Sequence, residues 1–66
     1  MTRIVSQIRI GHRIKTDAAT YTVLGNMKMR GGYCYIARDE ATGRKISIRR
    51  DDLLQAQRDG DATITA

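Results

Sequence analysis

Apolar and polar positions alternate with a period of two through most of the first fifty residues, the pattern of half-buried β-strands. Ile8, Ile10 and Ile14 alternate with Arg9, Arg13 and Lys15, interrupted by Gly11, and predict a strand with a bulge at the glycine. After a turn at Asp17-Ala18-Ala19 the alternation resumes at Thr20, with Tyr21 and Val23 facing one way. Gly25 then lets a long strand bend. Residues 26–50 read NMKMRGGYCYIARDEATGRKISIRR, three short runs cut by Gly31-Gly32 and by Ala41-Thr42-Gly43. They predict an antiparallel meander of strands near 26–30, 33–38 and 44–49.

Beyond the meander the period changes. Asp51 or Asp52 is placed to cap a helical turn over residues 52–57, whose Leu53 and Leu54 would lid the core, and Gly60 ends it. Residues 61–66 are a last strand or a frayed tail, and residues 1–7, with Ile4 and Val5, an N-terminal arm or edge strand. The expected fold is all-β: one domain over residues 1–66, a small SH3-like barrel of about five antiparallel strands with one short helical turn near the C-terminus.

Faces follow from loop parity. A three- or five-residue loop at Gly43 keeps Cys34 and Ile36 in phase with Ile46 and Ile48. A two-residue glycine turn adds Met27 and Met29. That set is the expected core face. The opposite face then carries Asn26, Lys28, Arg30, Tyr33, Tyr35, Lys45, Ser47 and Arg49, with no carboxylate among them. With the other parity the tyrosines belong to the core.

Composition sharpens this picture. The chain of 66 residues has 12 Lys plus Arg against 7 Asp plus Glu, a formal charge of +5. Nine of the cations are arginine, the side chain suited to bidentate phosphate contacts and to stacking. A basic surface can also serve solubility alone. The three tyrosines are the only aromatic residues, so the core rests on aliphatic side chains, and a homodimer would relieve the shortage. The single cysteine, Cys34, excludes an internal disulfide and is expected as a small buried hydrophobe. No apolar run is long enough for a signal peptide or a membrane span. The expected setting is the cytoplasm, with no membrane partner, in a bacterium or its mobile genetic elements, phage included.

Catalytic chemistry finds no support. His12 is the only histidine and no nucleophile or carboxylate is placed beside it by a known motif. One Cys and one His give no metal-ligand spacing, and Gly31-Gly32 belongs to no phosphate loop. The expectation is a protein that is not an enzyme and has no cofactor and no metal.

Three families share parts of the pattern. Ile10-Gly11-His12-Arg13-Ile14, Asp17, Tyr21-Thr22-Val23, Thr42-Gly43 before Ile46 and Ile48, and Asp52-Leu53-Leu54 resemble small SH3-like modules, including those attached to Mu-type transposases. Such modules accompany DNA-binding proteins. Ile10-Gly11, Val23-Leu24-Gly25 and Ile48-Arg49-Arg50-Asp51-Asp52 are similar to elements of carbon storage regulators, dimeric RNA-binding β proteins, with a shorter first strand and longer intervening segments here. That resemblance implies Arg50 as the main RNA-contacting arginine. Ile46-Ser47-Ile48-Arg49 resembles the catalytic segment of plasmid-encoded dihydrofolate reductases, but the glutamine and tyrosine of that segment are missing.

The leading expectation is therefore a non-catalytic protein that binds DNA or RNA. Lys28, Arg30, Lys45, Arg49 and Arg50 would neutralise phosphates, with Tyr33 and Tyr35 stacking on bases or packing on sugars. Arg9, Arg13 and Lys15 form a second basic cluster. The alternative is a phage- or plasmid-encoded interaction module, anti-CRISPR-like, that inhibits a host protein through an acidic surface of that partner.

Overall fold

A computed structural model describes residue 5 and residues 7–65. The elements are β1 (Arg13–Thr16), β2 (Thr20–Met29), β3 (Gly32–Asp39), β4 (Lys45–Arg49), α1 (Arg50–Arg58) and β5 (Ala62–Thr65). All strands are antiparallel in one sheet of order β4-β3-β2-β1-β5. The order is open: among the described residues no ladder joins β4 to β5, so closure into a barrel is not seen. The expected arm or strand at residues 1–7 falls mostly outside the described residues.

The sheet has an inner face, covered by α1, and an outer face. Inner rows run Ile64–Ile14–Tyr21, Val23–Ala37–Ile46 and Asn26–Tyr35–Ile48 across neighbouring strands. Ile8, Leu53 of α1 and Ala62 complete the buried cluster with Ile14, Val23, Tyr35, Ala37 and Ile64. Each fully buried aliphatic side chain contributes about 1.5–3 kcal/mol, and in a chain of this size that is a large share of the net stability.

This core corrects the expected one. The expected Gly31-Gly32 turn has the right phase but the wrong place: the turn is Arg30-Gly31, so Gly32 pairs with Met29, Tyr33 with Lys28 and Cys34 with Met27, a shift of two that leaves the faces unchanged. The second loop was not. Asp39 donates its N–H to the Arg44 carbonyl at 2.8 Å, enclosing four residues. The Asp39 carboxylate accepts from the backbone N–H groups of Ala41 (2.8 Å) and Thr42 (3.3 Å), and Gly43 takes φ +77. The even loop reverses parity, so Ile46 and Ile48 lie with Ala37 and Tyr35. Met27, Met29, Cys34 and Ile36 are left on the outer face.

A bulge in β2 is the other parity switch. Val23 pairs with Ala37 and Gly25 with Ile36, so Leu24 is an extra residue. Tyr21 and Val23 before it therefore share the inner face with Asn26 and Lys28 after it. Before β1, Ile10-Gly11 is a turn and no part of a strand: Gly11 has φ +94 and donates to the Val23 carbonyl.

The helix is longer than one turn and starts earlier. Arg49, not Asp51 or Asp52, occupies the N-cap position and makes no side-chain cap hydrogen bond. The two aspartates lie in the first turn and Arg58 in the last, each matched to the helix dipole. At the C-terminal end Asp61 donates to Ala56 O and Gly60 to Gln57 O, a Schellman closure with Gly60 at φ +80. An L-side chain there costs about 1–2 kcal/mol. Gly60→Ala should lower the thermal midpoint by about 4–8 °C per kcal/mol lost; an unchanged midpoint would show that the helix end is not held by this turn.

Candidate nucleic-acid interface

The parity reversal divides the expected basic face between two surfaces. Lys45, Ser47 and Arg49 project from the outer face, whereas Lys28, Tyr33 and Tyr35 project from the inner one. Arg30 sits at the hairpin turn and Arg50 opens α1. Tyr35 is only 6% exposed and belongs to the core, so its ring is no stacking platform; Tyr33, at 49%, presents one. The second cluster also divides. Arg13 and Lys15 lie on the outer face of β1, while Arg9 lies before the strand, its N–H bonded to His12 Nδ1 at 3.2 Å.

What the fold assembles on the outer face is larger than expected. One row of paired residues, Lys45–Arg38–Thr22–Arg13–Thr65, crosses all five strands. At about 4.8 Å per strand it spans about 19 Å. Lys15 flanks this row on one side, between Thr20 and Thr63, and Arg49 lies beyond Ser47 on the other, opposite Cys34. Arg13, Lys15, Arg38, Lys45 and Arg49 are all solvent-exposed. Arg13 holds Glu40 in a two-point ion pair, 3.1 and 2.9 Å. Among the described residues that is the only salt bridge, so Lys15, Arg38, Lys45 and Arg49 have no carboxylate partner there. Such an exposed pair contributes about 0–1 kcal/mol; its larger effect is to neutralise the carboxylate beside the row.

Arg38 was the cation that sequence reasoning missed. It is in phase with Cys34 and Ile36, which were expected in the core, and neither expected face included it. Asp39 four residues before Gly43, with its carboxylate free to accept from the loop's N–H groups, is the signal that identifies the even loop.

A second concavity lies on the inner side, where the segment before β1 passes the distal end of the β2–β3 hairpin. This open cleft of about 450 Å³ is lined by Gln7, Ile8, Arg9, Asn26, Tyr33, Tyr35 and Arg50. A smaller pocket of about 110 Å³ at the hairpin turn is lined by Arg30, Tyr33, Cys34, Arg49, Arg50 and Asp51. Arg49 reaches over the turn, its guanidinium 3.4 Å from where a Cβ on Gly31 would stand. Cys34 is buried at the edge of the outer face and forms no disulfide. Among the described residues no group of three His, Cys, Asp or Glu side chains is placed to hold a metal ion, and no helix is long and apolar enough to cross a membrane.

No protein-family profile, curated protein or solved structure matches the chain.

Proposed function

We propose that this protein binds nucleic acid, without catalysis, through the outer face of its sheet. The observation that carries the reading is the row Lys45–Arg38–Thr22–Arg13–Thr65 with Lys15 and Arg49 beside it: five exposed cations and one carboxylate, already held by Arg13. Cations spaced at strand intervals on a rigid, open sheet suit a phosphate backbone, and the threonine and serine hydroxyls between them add donors to phosphate oxygens. The four cations with no carboxylate partner set the salt dependence. Log Kd against log salt should have a slope magnitude of about 3, counting ~0.7–0.9 ions released per phosphate neutralised. Fluorescence anisotropy with labelled single- and double-stranded oligonucleotides at low salt tests this. Absence of binding to DNA and RNA alike, or binding indifferent to salt, contradicts it.

A second reading, an acidic protein partner, draws on a different observation. Met27 and Met29 are each about half exposed at the distal end of the hairpin, on the face that carries Arg49 across β3. Methionine and arginine are both enriched at protein interfaces. A stoichiometric partner recovered by pull-down after nuclease treatment, with no oligonucleotide binding, would favour that reading. The resemblances to SH3-like modules and carbon storage regulators support the nucleic-acid reading as analogy only.

A further inference from the structure

We propose that the inner cleft receives one unstacked nucleobase, so that the nucleic acid this protein prefers is single-stranded. The inference rests on the nucleic-acid reading above and names the form of the ligand. Four observations converge on it. Tyr33 keeps half of its surface exposed at the cleft wall, while the buried Tyr35 makes the floor beside Ile8. Asn26 pairs directly with Tyr35 in the β2–β3 ladder and is exposed, so its amide stands on the same face as both rings. Arg9 and Arg50 enter from two other elements, the segment before β1 and the first turn of α1. Among the described residues no carboxylate lines the cleft.

Each component matches a part of a nucleotide. A half-exposed phenol ring is a stacking surface for the flat face of a base. An asparagine amide offers a donor and an acceptor at the spacing of a base edge. Two guanidiniums at the mouth are suited to the phosphates on either side of the sugar. The volume, about 450 Å³, lies in the range of small-molecule sites, roughly 300–1,000 Å³. A base in a duplex is already stacked on both sides and would have to be flipped out to reach Tyr33, which costs a few kcal/mol. A single strand avoids that cost. The small pocket at the hairpin turn, lined by Arg30, Arg49 and Arg50 with one carboxylate, Asp51, shares Tyr33 and Arg50 with the cleft and so adjoins it with a net positive lining.

The discriminating experiment compares wild type, Tyr33→Ala, Tyr33→Phe and Asn26→Ala for binding to a labelled single-stranded oligonucleotide and to a duplex of the same length at one salt concentration. Both positions are exposed, and circular dichroism melts confirm that each variant is folded. Wild type should bind the single strand more tightly than the duplex. Tyr33→Ala should weaken single-strand binding by about 5- to 100-fold and leave duplex binding within about threefold, whereas Tyr33→Phe should retain the single-strand affinity. Equal affinity for both forms in the wild type, or Tyr33→Ala binding the single strand as wild type does, overturns the base-binding cleft and leaves the outer-face reading standing. Loss of all oligonucleotide binding in the wild type overturns both.

Discussion

Reversing three charges on the outer face, Lys15→Glu with Arg38→Glu and Lys45→Glu, should abolish nucleic-acid binding while leaving the fold intact. The side chains lie on three strands and all point into solvent. None has a carboxylate partner among the described residues, so none is sacrificed from an internal ion pair. Exposed substitutions of this kind usually change stability by less than about 0.5 kcal/mol each. Their effect on binding is of another size. Three phosphate contacts disappear and three like charges take their place within a Debye length of the backbone, so affinity at about 0.1 M salt should fall on the order of a hundredfold or more. The charge-preserving triple Lys15→Arg, Arg38→Lys and Lys45→Arg should bind within about threefold of wild type. Anisotropy titrations of the two triples separate a charged surface from a merely soluble one: reversal without loss of binding would show that the outer face is not the interface.

The second large effect is expected inside the molecule. Gln57 is the one buried polar side chain among the described residues, 1% exposed, on the same stripe of α1 as Leu53. Its Nε2 donates to the Val5 carbonyl at 3.0 Å and its Oε1 accepts from the Val5 N–H at 2.8 Å. The amide thus replaces a strand neighbour for Val5, which joins no ladder among the described residues. Gln57→Ala would leave both Val5 groups without their partner and open a cavity where the side chain stood. Two lost hydrogen bonds at about 1 kcal/mol each, with a desolvation penalty of about 1–3 kcal/mol for the part-buried Val5 groups, give a destabilisation of roughly 3–5 kcal/mol at most. A domain of this size holds about 3–10 kcal/mol in all, so urea denaturation should show a variant near the limit of folding. Gln57→Leu should recover packing but not the hydrogen bonds and fall between the two. The wall of the inner cleft depends on the same clamp, because Gln7, Ile8 and Arg9 begin two residues after Val5 in the chain. A Gln57→Ala protein as stable as wild type would mean that the segment is held by other contacts.

Most of the fold's elements could be read from the chain, but the pairing of their faces only in part. Period-two alternation located the meander strands and Gly60 marked the helix end, because each rests on a local backbone requirement; beside Gly25, where a bend was expected, β2 carries a bulge. The two-residue turn also gave the right phase between β2 and β3, which is why Tyr33, Tyr35, Asn26 and Lys28 were placed together. One loop then changed the outcome. The Asp39 carboxylate organises four residues between Asp39 and Arg44, and a shift of one residue carries every side chain of β4 to the other face. The isoleucines went to the core with Tyr35, and Lys45 and Arg49 went to the side of Arg38. The strand at Ile8 and Ile10 failed for a similar reason: Gly11 at positive φ turns the chain, so Ile8 enters the core from a loop and Ile10 is exposed. The clamp at Gln57 had no local signal, since its partner is 52 residues away.

The central claim is that nucleic acid lies on the outer face of this sheet. The most direct measurement is a titration of the isotope-labelled protein with a short single-stranded oligonucleotide, followed through the side-chain resonances of its lysines and arginines. The predicted result is saturable shifts at Lys15, Arg38, Lys45 and Arg49, with Arg58 at the far end of α1 unmoved. Shifts confined to other cations, or none at low salt, would contradict it.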